Sequence, residues 1–90
     1  MPLIFALRTF APVGPVATDY DIQLLATYAA LLDADRAGLT WQAAAERHLG
    51  LDPEDGGSQP CWASHLDRAR WSVGDGLGAM IEASASLANR

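Results

Sequence analysis

Lysine is absent from this chain. Its six basic residues are all Arg, set against eleven Asp and Glu, and the formal net charge is −5. A nucleic-acid binder gains affinity by neutralising phosphates with Lys and Arg, so the charge balance disfavours DNA as the partner. Cysteine occurs once, at Cys61, which rules out an internal disulfide and suits a reducing, cytoplasmic setting. Val, Ile and Thr, the strand-favouring residues, are sparse. No apolar run approaches the ~20 residues of a membrane span. The opening stretch, MPLIFALRTFAPVGPVA, lacks a basic region before its apolar run. Arg8, Pro12 and Pro15 interrupt that run, so it is not read as a signal peptide.

What is present is helical material. Half of the residues are hydrophobic, and many of these are Ala, which loses no side-chain entropy in a helix. Ninety residues make one domain. The expectation is an all-α fold, a small helical bundle of about four helices containing a helix-turn-helix-like unit. Residues 1–17 are read as an apolar, partly ordered N-terminal arm, and residues 18–90 as the helix-turn-helix-like domain. Leu3, Ile4, Phe5 and Phe10 of the arm either tuck against the domain or meet a partner.

The first helix is expected to start at Thr18 or Asp19, both able to N-cap, and to run unbroken to Gly38. Its core stripe is read as Ile22, Leu25, Ala29 and Leu32, widened by Leu24, Tyr28 and Leu31. So broad an apolar face implies packing on two sides. A short Gly38–Thr40 turn then leads to a second helix whose inner face is Trp41, Ala44, Ala45, His48 and Leu49. Two helices joined by a tight Gly-containing turn match the entry to a helix-turn-helix unit. The third helix follows the loop Leu51–Pro60, with Ser58 or Gln59 as its cap and Pro60 in its first turn. A final helix over about 77–87 carries Leu77, Met80, Ile81 and Leu87 as anchors.

Little here suggests catalysis. Cys61 and His65 lie one helical turn apart, but zinc needs more ligands at its own spacings, and a Cys–His nucleophile needs an orienting third group. Asp52, Glu54 and Asp55 bunch beside two glycines without the spacing of a calcium loop. The chain is therefore read as a non-enzyme with no cofactor and no metal.

Recognition remains, and the stretch Trp62–Trp71 (WASHLDRARW) is its candidate. Trp62, Leu66, Ala69 and Val73 are assigned to the core face, and Ser64, Asp67, Arg68 and Trp71 to the outer face. Trp and Arg are enriched at binding hot spots. A third helix reading the major groove would need basic flanks for phosphate contacts. Here the flanks are Asp52, Glu54, Asp55 and Asp75. The expected partner is a protein, and the expected contact residues are Ser64, Asp67, Arg68, Arg70, Trp71, Asp52, Glu54 and Asp55. The alternative is a DNA-binding regulator using the third helix as its recognition helix.

Several spaced blocks also carry a resemblance. Tyr20-Asp21 opening a helix, Leu31–Gly50, Trp62–Trp71 and Gly76-Leu77 resemble a family of small alphaproteobacterial regulators. This is the helix-turn-helix-like domain of the FseA and QseM proteins of integrative and conjugative elements. The likeness covers about Asp19–Ile81. It implies one of two roles, an FseA-type activator of excision genes or a stand-alone QseM-type antiactivator. The latter would bind the activator and a TraR-type quorum-sensing regulator and thereby block conjugative transfer. Small size and acidity favour the antiactivator. Family members often carry Gly-Tyr-Arg where this chain has Gly76-Leu77-Gly78, a departure that argues further against DNA contact.

Overall fold

A computed structural model describes residues 7–88, and among these the chain is all-helical. The described residues form five helices, α1 (Asp19–Gln23), α2 (Leu25–Arg36), α3 (Trp41–Leu49), α4 (Ser58–Val73) and α5 (Leu77–Ala88). The bundle is built on α2, α3 and α4, which pack against one another, while α5 closes over α1 and α4. Leu3, Ile4 and Phe5 lie outside the described residues.

Thr18 starts the first helix with a capping box. Its hydroxyl accepts from the Asp21 amide at 3.2 Å, and the Asp21 carboxylate accepts from the Thr18 amide at 2.9 Å. The single helix expected over 18–37 is two, separated at Leu24, whose φ of −96° and ψ of 10° leave the helical region. The buried stripe is Tyr20, Leu24, Tyr28 and Leu31, at i, i+4, i+8 and i+11. Of the stripe expected to form the core, Leu32 is half-buried against it and Ile22 is half-buried, while Leu25 is 43% exposed and Ala29 lies at the surface. The broad apolar face therefore has one side in the core and the other side open.

The Ala37–Thr40 turn is tight because Gly38 takes a φ of +81°, a region that other residues enter at a cost. Thr40 caps α3, accepting from the Ala43 amide. From α3 to α4 the chain takes eight residues, Gly50–Gly57, twice the four of the α2–α3 turn. Helix-turn-helix turns are about 3–4 residues long, so the short connection belongs to α2 and α3 rather than to α4. α4 starts at Ser58, inside the position expected of a cap, and Pro60 falls in its first turn, where an N–H has no intrahelical partner. No helix among the described residues is long and apolar enough to cross a membrane.

Candidate protein-docking site

The inner face of α4 is polar. Ser58, Cys61, His65, Arg68 and Ser72 are buried along it, together with Leu66 and Ala69. Val73, expected in the core, is 61% exposed. Burying such groups requires that each find a partner, and among the described residues no buried side-chain nitrogen or oxygen lacks one.

Arg68 is the centre of this arrangement. It is only 4% exposed and faces Asp21, which is fully buried. The guanidinium grips the carboxylate from Nε at 3.0 Å and Nη2 at 2.9 Å, the bidentate geometry that suits Arg and that Lys cannot reproduce. Asp21 also accepts from the Tyr28 hydroxyl at 2.8 Å and from the Thr18 amide and hydroxyl. Burial alone would raise the Asp21 pKa. The hydrogen bonds from Arg68, Thr18 and Tyr28 outweigh it and hold the carboxyl below its ordinary value.

The remaining donors of Arg68 reach the segment before α1, bonding the carbonyls of Gly14 at 2.7 Å and Val16 at 2.8 Å. Residues 8–17 thus form a strap across α4. The Ala11 amide donates to Ser64 Oγ at 3.0 Å, the Arg8 amide to Tyr20 Oη at 3.0 Å, and the Cys61 thiol approaches the Arg8 carbonyl at 3.5 Å. Behind the strap, Tyr20 Oη lies 2.7 Å from His65 Nε2, and His65 Nδ1 lies 2.7 Å from the Cys61 carbonyl. A carbonyl can only accept, so Nδ1 carries the proton and Nε2 accepts from the tyrosine. Burial lowers the His65 pKa, opposed in part by the Cys61 carbonyl, and burial raises the Cys61 thiol.

Of the eight expected contact residues, four meet. Ser64, Asp67, Arg68 and Trp71 line a pocket of about 560 Å³ with the strap residues Ala11–Pro15 and with Asp75. Their roles differ from those expected. Arg68 is a buried structural ion rather than an exposed anchor, which corrects the outer-face assignment. Trp71 is half-buried as a lid, with the Arg68 guanidinium carbon 3.7 Å from its ring centroid. Gly76 packs against the same indole. A Cβ there would lie 2.2–2.5 Å from indole carbons, so only glycine fits without displacement. Ser64 is occupied in holding the strap. Asp67 and Asp75 are exposed and leave the rim of the pocket acidic.

The other four lie elsewhere. Arg70 is exposed but bonds Asp35 at 3.1 Å and Asp67 at 3.5 Å. Asp52 and Asp55 cap turns of the α3–α4 loop, accepting from the amides of Glu54 and Gly57. Glu54 is exposed beside them. Sequence reasoning missed Asp21 as the partner of Arg68 and missed the Gly76–Trp71 contact. The available signal for Asp21 was its place as the third helical residue after a Thr cap, with Tyr28 two turns on.

A second concavity, about 480 Å³, opens between α2, the end of α4 and α5. Leu25, Ala29, Leu32, Val73, Leu77, Met80 and Ile81 line it. Comparison of the chain with protein-family models, with characterised proteins and with solved structures gives no match. The described residues define the class only as an all-helical domain strapped by its own N-terminal segment. They hold no group of three or more His, Cys, Asp or Glu placed to hold a metal ion.

Proposed function

We propose that this chain is an antiactivator, a small domain that binds a transcriptional regulator and blocks it. The observation that carries the reading is the charge on α4. Arg68 is buried against Asp21, and Arg70 is tied to Asp35 and Asp67. The helix that would read DNA therefore offers no uncommitted cation. Its exposed carboxylate Asp67, paired only loosely with Arg70 at 3.5 Å, and Asp75 just beyond it rim a pocket floored by the strap. Phosphates would be repelled there, whereas a basic protein surface would be attracted.

The surface of a regulator that binds DNA is basic for the reason given by counterion release. An acidic face held on a rigid helix complements such a surface, and complementarity of this kind speeds and orients association. Asp52, Glu54 and Asp55 lie at the other end of α4, outside this pocket, and add to the negative charge of the chain rather than to the pocket's rim. A basic side chain of the partner entering the pocket would meet two lining carboxylates, Asp67 and Asp75. The resemblance over Asp19–Ile81 supports the same role, with an FseA-like activator or a TraR-type regulator as the partner.

The test is a competition gel shift. A regulator encoded beside this chain is bound to its promoter DNA, and the protein is titrated in. Release of the DNA with formation of a regulator complex is expected. Binding of the DNA by this chain alone, with affinity falling steeply as salt rises, would overturn the proposal and favour a DNA-binding regulator.

A further inference from the structure

We propose that the groove between α2, α4 and α5 is the interface between two copies of this chain, related by a two-fold axis. The inference does not rest on the antiactivator reading and uses a different face of the molecule.

α2 carries two apolar stripes. Leu24, Tyr28 and Leu31 pack into the core. Leu25, Ala29 and Leu32, spaced i, i+4 and i+7, line the groove, Leu25 and Ala29 at its surface and Leu32 also touching the core. That spacing is the one by which helices pack along a seam, and a small residue at its middle allows close approach. The opposite wall, α5, repeats the spacing with Leu77, Ile81 and Ser84. Leu25, Val73, Leu77 and Ile81 are 43%, 61%, 47% and 61% exposed, and all four belong to this one groove. Isolated exposed apolar residues need no explanation, but a contiguous patch of them marks an interaction surface.

Charge selects the occupant. The chain as a whole carries −5, so two copies repel unless they meet where charge cancels. The charged residues lining the groove are Asp33 and Arg36, one of each sign, three residues apart on α2. Neither has an ion-pair partner among the described residues. In a two-fold contact the same patch meets itself, so a residue at one position faces its complement from the other copy, twice. Asp33 of one copy against Arg36 of the other satisfies both groups by symmetry. A basic partner of the kind suited to the acidic pocket finds no charge complement in this neutral groove.

The experiment is multi-angle light scattering with sedimentation equilibrium on the full chain. The wild type is expected at twice its 9.6 kDa mass. Ile81→Ser, at an exposed position, should weaken the dimer at least about tenfold, since the loss is counted in both copies. Thermal melts followed by circular dichroism would establish that the variant is folded. Asp33→Arg should also weaken the dimer, and Asp33→Arg/Arg36→Asp should restore it. Rescue by double reversal is the signature of self-pairing and would not follow from a foreign partner. A wild type that stays monomeric up to about 1 mM overturns the proposal. So does a dimer indifferent to Ile81→Ser, or a charge loss that the double reversal does not repair. The gel-shift competition reports separately on the acidic face, so the two readings can fail independently.

Discussion

Replacing Arg68 separates a structural role from a recognition role, because the two give opposite results. Arg68→Met leaves Asp21 fully buried and strips it of the guanidinium bonds at 3.0 and 2.9 Å. The Tyr28 and Thr18 donors remain but carry no positive charge. Removing one partner of a buried ion pair costs about 3–5 kcal/mol. The Gly14 and Val16 carbonyls also lose their donor, but both residues are exposed and water can take its place. A domain of this size has roughly 5–13 kcal/mol in total, so the variant should lose a large fraction of its stability. The melting temperature should fall by roughly 15–30 °C. Arg68→Met/Asp21→Asn removes the stranded charge and should recover more than half of the loss. Arg68→Lys keeps the charge but cannot hold the carboxylate and both carbonyls at once. It should fall between wild type and Arg68→Met. Urea melts followed by circular dichroism measure all three. Hydrogen exchange at the Arg8 and Ala11 amides, which bond Tyr20 and Ser64, reports whether the strap has lifted. If Arg68→Met cost less than about 1 kcal/mol and yet abolished regulator binding, the structural account would be refuted and Arg68 would be a contact residue.

Three further predictions follow from the same geometry. Gly76→Ala should cost about 1–3 kcal/mol by overpacking and shift tryptophan fluorescence, because its Cβ meets an indole already covered by Arg68; an unchanged melt would show that Trp71 moves away freely. His65 is held neutral by burial, with its folded pKa below 6.5, so its contribution is complete above pH 6.5 and is lost as pH falls from there through the folded value. The lowered Asp21 pKa adds a second loss that begins only below 3.8, and His65→Gln should flatten the first decline in urea midpoint against pH while leaving the second. Asp67→Asn/Asp75→Asn should slow association with a basic regulator and flatten its dependence on salt, with little effect on stability because both side chains are exposed. Stopped-flow rates that do not change would remove the acidic rim from the docking face.

Helix content, the Thr18 and Thr40 caps and the Gly38 turn were legible in the sequence because each is a local choice. The facing of the helices was not. On α4 the buried stripe is Ser58, Cys61, His65, Arg68 and Ser72, so a reading that puts apolar residues inward turns the helix partly around and sends Val73 to the core and Arg68 to solvent. The buried charge is tolerable only because Asp21 stands 47 residues away in sequence and meets it in space. No local pattern shows such a pair. α2 fails in a related way. Its apolar face is broad enough for two stripes, and periodicity alone cannot tell which one is inside the monomer. Half of the expected contact set does share a pocket, because Ser64, Asp67, Arg68 and Trp71 follow helical spacing. The pocket itself depends on the strap, and no spacing within α4 reveals what crosses it.

The two surfaces have a joint consequence that neither has alone. A two-fold pair built through the neutral groove carries two acidic pockets, one on each copy. If the proposed regulator partner is itself a dimer with two basic DNA-binding faces, one such pair can engage both, and the second contact becomes intramolecular. Such linkage raises apparent affinity by about 10²–10⁴ when the geometry allows both contacts. Ile81→Ser then becomes informative about function as well as assembly. It leaves Asp67, Asp75 and the strap untouched, so each single contact keeps its strength. Inhibition of a dimeric regulator should nonetheless weaken by about 10²–10⁴-fold, while binding to an isolated monomeric DNA-binding domain stays unchanged. Equal losses against both targets would mean that the groove contacts the regulator directly. No loss against either would mean that each copy acts alone, whatever its state of association.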